Sequence, residues 1–250
     1  MGQTKQKLQN GQTAYGGWMM IGHPTIAELM AGEGFDWICV DMEHTSTDLP
    51  TFHEIALALK GTNVDLLVRL GSLDAVLAKR VLDSGAQGII VPNINTAAQA
   101  KEAVAMAKFP PGGHRGASLC RATDFGRQFQ EYYQAHNDNV TVAVMIEHID
   151  AVNNIEEILS VPGIDATFIG PYDLSASMGI AGQIDSPKVR DTQQRILDAC
   201  RQHNIPPGIH VVPTDPDEIQ ARQAAGFRFI ACGLDTNFIM DGCRAILSHK

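Results

Sequence analysis

The stretch FDWICVDMEH, residues 35–44, decides how this chain folds. It starts as an apolar run with no polar alternation and ends in Asp41, Glu43 and His44. A short run of that kind reads as a strand buried on both faces, as in a parallel sheet covered by helices. Three ionisable groups at its exit have no use in such a core. They mark the carboxyl end of the strand as a place where chemistry collects.

Working outward, the same event repeats. Apolar runs at 16–22, 36–40, 64–70, 87–92, 141–147, 164–170, 206–211 and 228–233 read as strands. Amphipathic stretches at 24–33, 49–60, 73–83, 96–108 and 152–159, helical segments through 203, and helices at 215–225 and at the end of the chain fill the gaps. Eight strand–helix units in about 230 residues match a closed (β/α)8 barrel, one domain spanning residues 1–250. The alternative is an open doubly wound sheet, which would carry a Gly-rich nucleotide turn after its first strand. Here that turn is Ile21-Gly22-His23-Pro24, and no dinucleotide or P-loop motif occurs. One long insertion, residues 109–139, contains Arg115, Arg121 and Arg127 and reads as an ordered active-site loop.

Composition narrows the function. A formal net charge of −9 argues against nucleic acid as partner. No apolar run reaches the length of a membrane span, and MGQTKQKLQNGQ lacks the apolar centre of a signal peptide. Gln6 also breaks the myristoylation pattern, so the expected location is the cytoplasm. Five scattered cysteines without a C-x-x-C pair suit buried thiols in a reducing compartment.

On a barrel, polar residues at strand exits share one mouth. Glu147 and Asp173 follow the fifth and sixth strands. Two hard oxygen donors with open positions suit Mg²⁺ or Mn²⁺, while the competing role for Asp173 is a helix cap. Arg69 leaves the third strand and either pairs with Asp41 or Glu43 or holds a substrate carboxylate. His44 beside Asp41 suits a base oriented by a carboxylate, against a purely structural role. There is no H-E-x-x-H and no G-x-S-x-G, and none of the eight lysines ends a strand, so Schiff-base chemistry has no candidate. Enolate chemistry on this barrel would fall to a metal.

The stretches GFDWICVDMEH, VRL, FPPGGHRG, VMIEH and FIGPYDLSASMG, in this order, resemble the HpcH/HpaI family of metal-dependent pyruvate aldolases over almost the whole chain. The resemblance implies a (β/α)8 barrel that cleaves 4-hydroxy-2-oxo acids to pyruvate and an aldehyde. It implies Glu147 and Asp173 as ligands of Mg²⁺, Mn²⁺ or Co²⁺ and Arg69 as stabiliser of the enolate oxygen. It implies His44 as the base, oriented by Asp41, with Glu43 a structural partner. Backbone groups of Gly170, Pro171 and Tyr172 would hold the pyruvate carboxylate, and Met145, Tyr172, His148 and Arg121 would border the aldehyde side, where this sequence departs from the family pattern. A trimer or hexamer is implied, with the C-terminal helix packed on or exchanged with a neighbour. Other readings are a citrate-lyase-β-like or phosphoenolpyruvate-mutase-like lyase and a non-catalytic binding protein.

Overall fold

Eight parallel strands form the centre of the structure, a computed structural model that describes residues 2–248. They are β1 (Ala14–Met19), β2 (Trp37–Asp41), β3 (Asp65–Arg69), β4 (Gly88–Val91), β5 (Thr141–Met145), β6 (Ala166–Phe168), β7 (Gly208–Val211) and β8 (Phe229–Leu234). The helices are α1 (Gln3–Gln9), α2 (Pro24–Ala31), α3 (Leu49–Ala58), α4 (Ala75–Asp83), α5 (Ala97–Ala107), α6 (Phe129–Asn139), α7 (Ile149–Asn153), α8 (Ile155–Leu159), α9 (Pro171–Ser177), α10 (Pro187–His203), α11 (Pro216–Ala225) and α12 (Asp235–Leu247). The strand order β6-β5-β4-β3-β2-β1-β8-β7 closes through hydrogen bonds from Thr167 N–H to the Pro206 carbonyl (3.0 Å) and from Ile169 N–H to the Gly208 carbonyl (2.9 Å). The expected (β/α)8 barrel is the fold.

Side-chain parity divides the apolar residues into two cores. Ile38 and Val40 of β2 point outward and pack under the helices, as do Val68 of β3 and Val142 and Val144 of β5. Trp37, Cys39, Leu67, Ala143, Phe168 and Phe229 point inward and fill the barrel. Burying an aromatic or large aliphatic side chain in this way contributes about 1.5–3 kcal/mol each. Gly16 exists for this interior: a Cβ there would stand 2.0 Å from the Trp37 ring.

Proline and small polar caps start the outer helices. Asp48 accepts the Thr51 N–H and Asp74 those of Val76 and Leu77, while Thr96 and Gln99 form a reciprocal capping box. These caps fix where each helix leaves the mouth.

Two regions differ from the sequence reading. The polar N-terminus forms α1, which stoppers the lower, amino-terminal end of the barrel. Leu8 joins the inner core, and Lys5 is buried with its ammonium on the Val140 carbonyl (2.7 Å) and the Asp165 carboxylate (2.9 Å). The insertion after α5 is largely helical, with a 3-10 segment over Arg121–Gly126 followed by α6. It also lies at this lower end, because it joins the end of a helix to the start of a strand. The expectation of an active-site loop over 109–139 is therefore corrected: only strand-to-helix connections emerge at the catalytic face.

Arg121 shows the correction atom by atom. Its guanidinium donates to the carbonyls of Ala56 (2.7 Å) and Ser84 (2.6 Å), at the ends of α3 and α4. Arg115 is buried at the same end. It pairs with Asp83 (2.6 Å), donates to Tyr132 Oη (3.1 Å) and lies over the Phe109 ring at 4.7 Å. Neither arginine borders the aldehyde side of this chain's mouth.

Candidate active site

The inward parity that fills the barrel places charge in its top layer. Trp37, Cys39 and Asp41 alternate inward on β2, and Leu67 and Arg69 do so on β3. Strand register then sets Asp41 directly beside Arg69. The guanidinium donates through Nε to Asp41 Oδ1 (3.0 Å) and through Nη2 to Asp41 Oδ2, a bidentate pair at the top of the apolar interior. Arg69 also lies 5.1 Å from the Trp18 ring centroid, and its Nη1 is 3.1 Å from Glu43 Oε2. Burial works to raise the Asp41 carboxyl. The bonds to Arg69, with the N–H groups of Glu43 and His44, outweigh it and hold the group below the usual carboxylate range.

This geometry shows the acid partners of Arg69 and changes the reading of Asp41. Arg69 pairs with both acids and still reaches the cavity. Asp41 Oδ1 accepts the backbone N–H of Glu43 (2.9 Å) and of His44 (3.2 Å), so it shapes the turn that carries His44 and does not touch the ring. The imidazole instead faces Glu43, with Nε2 3.9 Å from Oε2.

Glu147 follows β5 inward and is 3 % exposed. Its Oε1 accepts the Asn93 N–H (2.8 Å) from the exit of β4, where Asn93 adopts a left-handed backbone (φ 56°). Asn tolerates that conformation better than most residues. The Pro92-Asn93 step was visible in the sequence, but its service to Glu147 depends on a contact between strands. The other oxygen, Oε2, sits where a Cβ on residue 170 would stand 2.6 Å away, so only glycine leaves it open. Burial, with Glu43 and Asp173 adding to it against the Asn93 bond, pushes the Glu147 carboxyl up to about 7. Asp173 lies in the first turn of α9, which begins at Gly170 without a side-chain cap. The cap role for Asp173 is thus absent.

His44, Arg69, Met145, Gly170, Pro171, Tyr172 and Asp173 border one cavity of about 320 Å³, together with Trp18, Met20, Phe168, His210, Val212 and Leu234. His148 is elsewhere: it begins α7, its Nδ1 accepting the Asp150 N–H (3.1 Å), and caps a helix instead of facing the mouth. His210 and Asp235 are members of this layer that the sequence reading left without a role. Asp235 accepts the N–H groups of Met20 and Ile21 (2.9 Å each) and ties the exit of β1 to that of β8.

The donor chemistry fits a hard divalent cation. Glu147 and Asp173 are unused as caps, Glu43 Oε2 is buried without a hydrogen bond, and Gly170 leaves Glu147 Oε2 clear. Among the described residues no three His, Cys, Asp or Glu side chains converge as a full ligand set. Any ion here would take two protein carboxylates and complete its shell with substrate and water.

Carboxylates both buried (Glu147) and at the rim (Asp173) thus stand with a buried arginine at the mouth of this barrel. Residues 15–241 match the HpcH/HpaI aldolase/citrate lyase family. This chain belongs to that family. It is 34% identical to the hydroxypyruvate/pyruvate aldolase of Roseobacter denitrificans, over 97% of this chain and 94% of that protein. It is 36% identical to the 2-dehydro-3,6-dideoxy-6-sulfogluconate aldolase of Pseudomonas putida, over 96% of this chain and 93% of that one. Among solved structures, an HpcH/HpaI aldolase/citrate lyase family protein from Burkholderia cenocepacia superposes with a TM-score of 0.94 at 33% identity, covering 100% of this chain and 99% of that one. These relatives place the chain among carbon–carbon lyases of the aldolase type.

Proposed function

We propose that the protein cleaves a 4-hydroxy-2-oxo acid to pyruvate and an aldehyde, with a divalent cation (Mg²⁺, Mn²⁺ or Co²⁺) held by Glu147 and Asp173. The observation that carries this reading is that Asp173, Arg69 and His44 line one cavity whose Gly170 wall leaves the Glu147 Oε2 oxygen clear. The cation, when bound, acts as a Lewis acid on the 2-oxo group of the substrate.

The chain's own residues do the rest. The Gly170-Pro171-Tyr172 turn presents backbone N–H groups at the start of α9 to the substrate carboxylate. Arg69 spends two of its five N–H groups on Asp41, with Nη1 3.1 Å from Glu43 Oε2, and turns the remainder to the oxygen at C2. His44, half-exposed at the rim, removes the proton from the C4 hydroxyl. The C3–C4 bond then breaks, its electron pair moves onto C3 and the C2 oxygen, and the aldehyde departs. Arg69 holds the negative charge on that oxygen until C3 takes a proton and pyruvate forms. Because Arg69 is locked by Asp41 beforehand, the charge is met by a preorganised donor that is itself buried.

Treatment with EDTA tests the metal requirement. Pyruvate release should stop and return on adding Mg²⁺ or Mn²⁺; release that persists in EDTA overturns the reading.

The protein is also proposed to work as a trimer or hexamer in the cytoplasm. Ile239, Met240, Ile246 and Leu247 of α12 are exposed, at 49%, 43%, 71% and 52%, which supports burial of this helix against a second copy. Among the described residues no helix is long and apolar enough to cross a membrane.

A further inference from the structure

A second cavity of about 310 Å³ adjoins the first on the side of β7. The two share Pro171, Tyr172, His210 and Val212, so they adjoin at a common wall, and His210 stands in it. Its ring is fixed from two sides. It lies 4.8 Å from the Trp18 ring, and its Nε2 is 3.2 Å from the Gly233 carbonyl oxygen. A carbonyl only accepts, so Nε2 carries the hydrogen and Nδ1 is left as a bare acceptor. Among the described residues Nδ1 has no hydrogen-bond partner. Burial, partly offset by the Gly233 carbonyl, pushes the imidazole down to about 4, which keeps the ring neutral at physiological pH.

The walls of the second cavity add a charge preference. They include Asp185, Asp215, Glu218 and Arg222. Arg222 is engaged by Glu218, through Nε at 2.7 Å and Nη2 at 2.5 Å. Asp215 spends one oxygen on the Asp217 N–H (3.0 Å). The cation of this wall is neutralised within it, and Asp185 and Asp215 remain in excess. Such a wall receives hydroxyl groups and repels a carboxylate, sulfonate or phosphate.

We propose that His210 reads the aldehyde half of the substrate, accepting at Nδ1 a hydrogen bond from a hydroxyl next to the reacting carbon, and that the preferred aldehyde is an uncharged hydroxyaldehyde whose tail passes between Tyr172 and Val212 into the second cavity. This assignment rests on the aldolase reading above. His210 is a specificity residue here: it selects the partner and takes no proton in the bond-breaking step.

The test compares aldol addition of pyruvate to matched aldehydes. Lactaldehyde and propanal differ by one hydroxyl; erythrose and succinic semialdehyde share a four-carbon length and differ in charge. The wild-type protein should favour lactaldehyde over propanal by about tenfold in kcat/KM, the worth of one neutral hydrogen bond. It should favour erythrose over succinic semialdehyde. His210→Leu should bring the lactaldehyde and propanal values within about twofold, while His210→Asn, which keeps an acceptor, retains part of the preference. The ratio is read within each protein, so a general loss of activity cannot imitate it. A ratio unchanged in His210→Leu, or a wild-type preference for succinic semialdehyde, overturns the assignment. Deuterium uptake into the pyruvate methyl group, followed by mass spectrometry with Mn²⁺ and no aldehyde, separates the two levels. No uptake by the wild-type protein overturns the aldolase reading itself; uptake with an unaltered ratio overturns the role of His210 alone.

Discussion

The two ends of the barrel each enclose an arginine, and they use it differently. At the lower end Arg115 is 3 % exposed and surrounded by Asp83, Tyr132, His136 and the Phe109 ring. Helices α1 and α6 close over that end, and the nearby Lys5 is consumed by Asp165 and a carbonyl. At the upper end Arg69 is 8 % exposed and paired with two acids, and acids outnumber it: Asp41, Glu43, Glu147 and Asp173 all share its layer. A cavity lined by Arg69 and Asp173 opens beside them. The same ion-pair chemistry thus yields a closed structural joint where charges balance and an open site where carboxylates are in excess. A buried pair alone therefore says little about function; the excess acid beside it does.

The comparison breaks most sharply at the two proposed metal ligands. Glu147→Ala or Asp173→Ala should lower pyruvate release by about 10³-fold, the scale of losing a major electrostatic element at a developing charge. Metal affinity measured by calorimetry should fall with it, and the thermal midpoint should hold or rise, because like charges are removed. Arg69→Ala comes next. It should cost about 10²-fold in kcat and also about 3–5 kcal/mol in stability, since Asp41 is left buried and unpaired. Urea unfolding alongside steady-state kinetics reads both.

Arg115→Ala sharpens the contrast from the other end. It should lower stability by about 3 kcal/mol with kcat unchanged, because nothing at the lower end touches the mouth. A drop in kcat with metal and substrate saturating would show that the ends are coupled. The smallest effect concerns pH. Burial and the charge of Arg115 push His136 from 6.5 down to about 4. An unfolded chain then binds a proton between those values that the folded chain refuses. Stability is complete above about pH 6.5, falls as pH drops toward 4 and loses no more from this group below that. The loss should be about 2 kcal/mol, visible as a shift in urea midpoint between pH 7.5 and 4.5 and reduced in His136→Gln.

How far the sequence could be read follows from which contacts are local. The helix and strand order was legible because each element carries its own periodicity. Asp41, Glu43, His44, Arg69, Glu147 and Asp173 stood out because ionisable residues at the ends of apolar runs are anomalous within a few residues. Arg121, Arg115 and His148 were misplaced for the opposite reason. Each is polar in a suggestive neighbourhood, yet its partners (Ala56 and Ser84; Asp83 and His136; the first turn of α7) show that it builds structure. The helix α1 escaped notice because its anchoring residues, Thr4, Lys5 and Leu8, bury themselves against strands far along the chain.

By itself the sequence determined the eightfold alternation, the family and the acids and bases at the strand exits, since hydrophobic period and motif spacing are properties of neighbouring residues. The tertiary structure alone decided which of those groups meet. Strand register put Asp41 beside Arg69, inward parity brought His210 into the same layer, and chain direction sent the insertion to the far end. Those outcomes depend on the closing of the barrel, which joins residues that no local pattern relates.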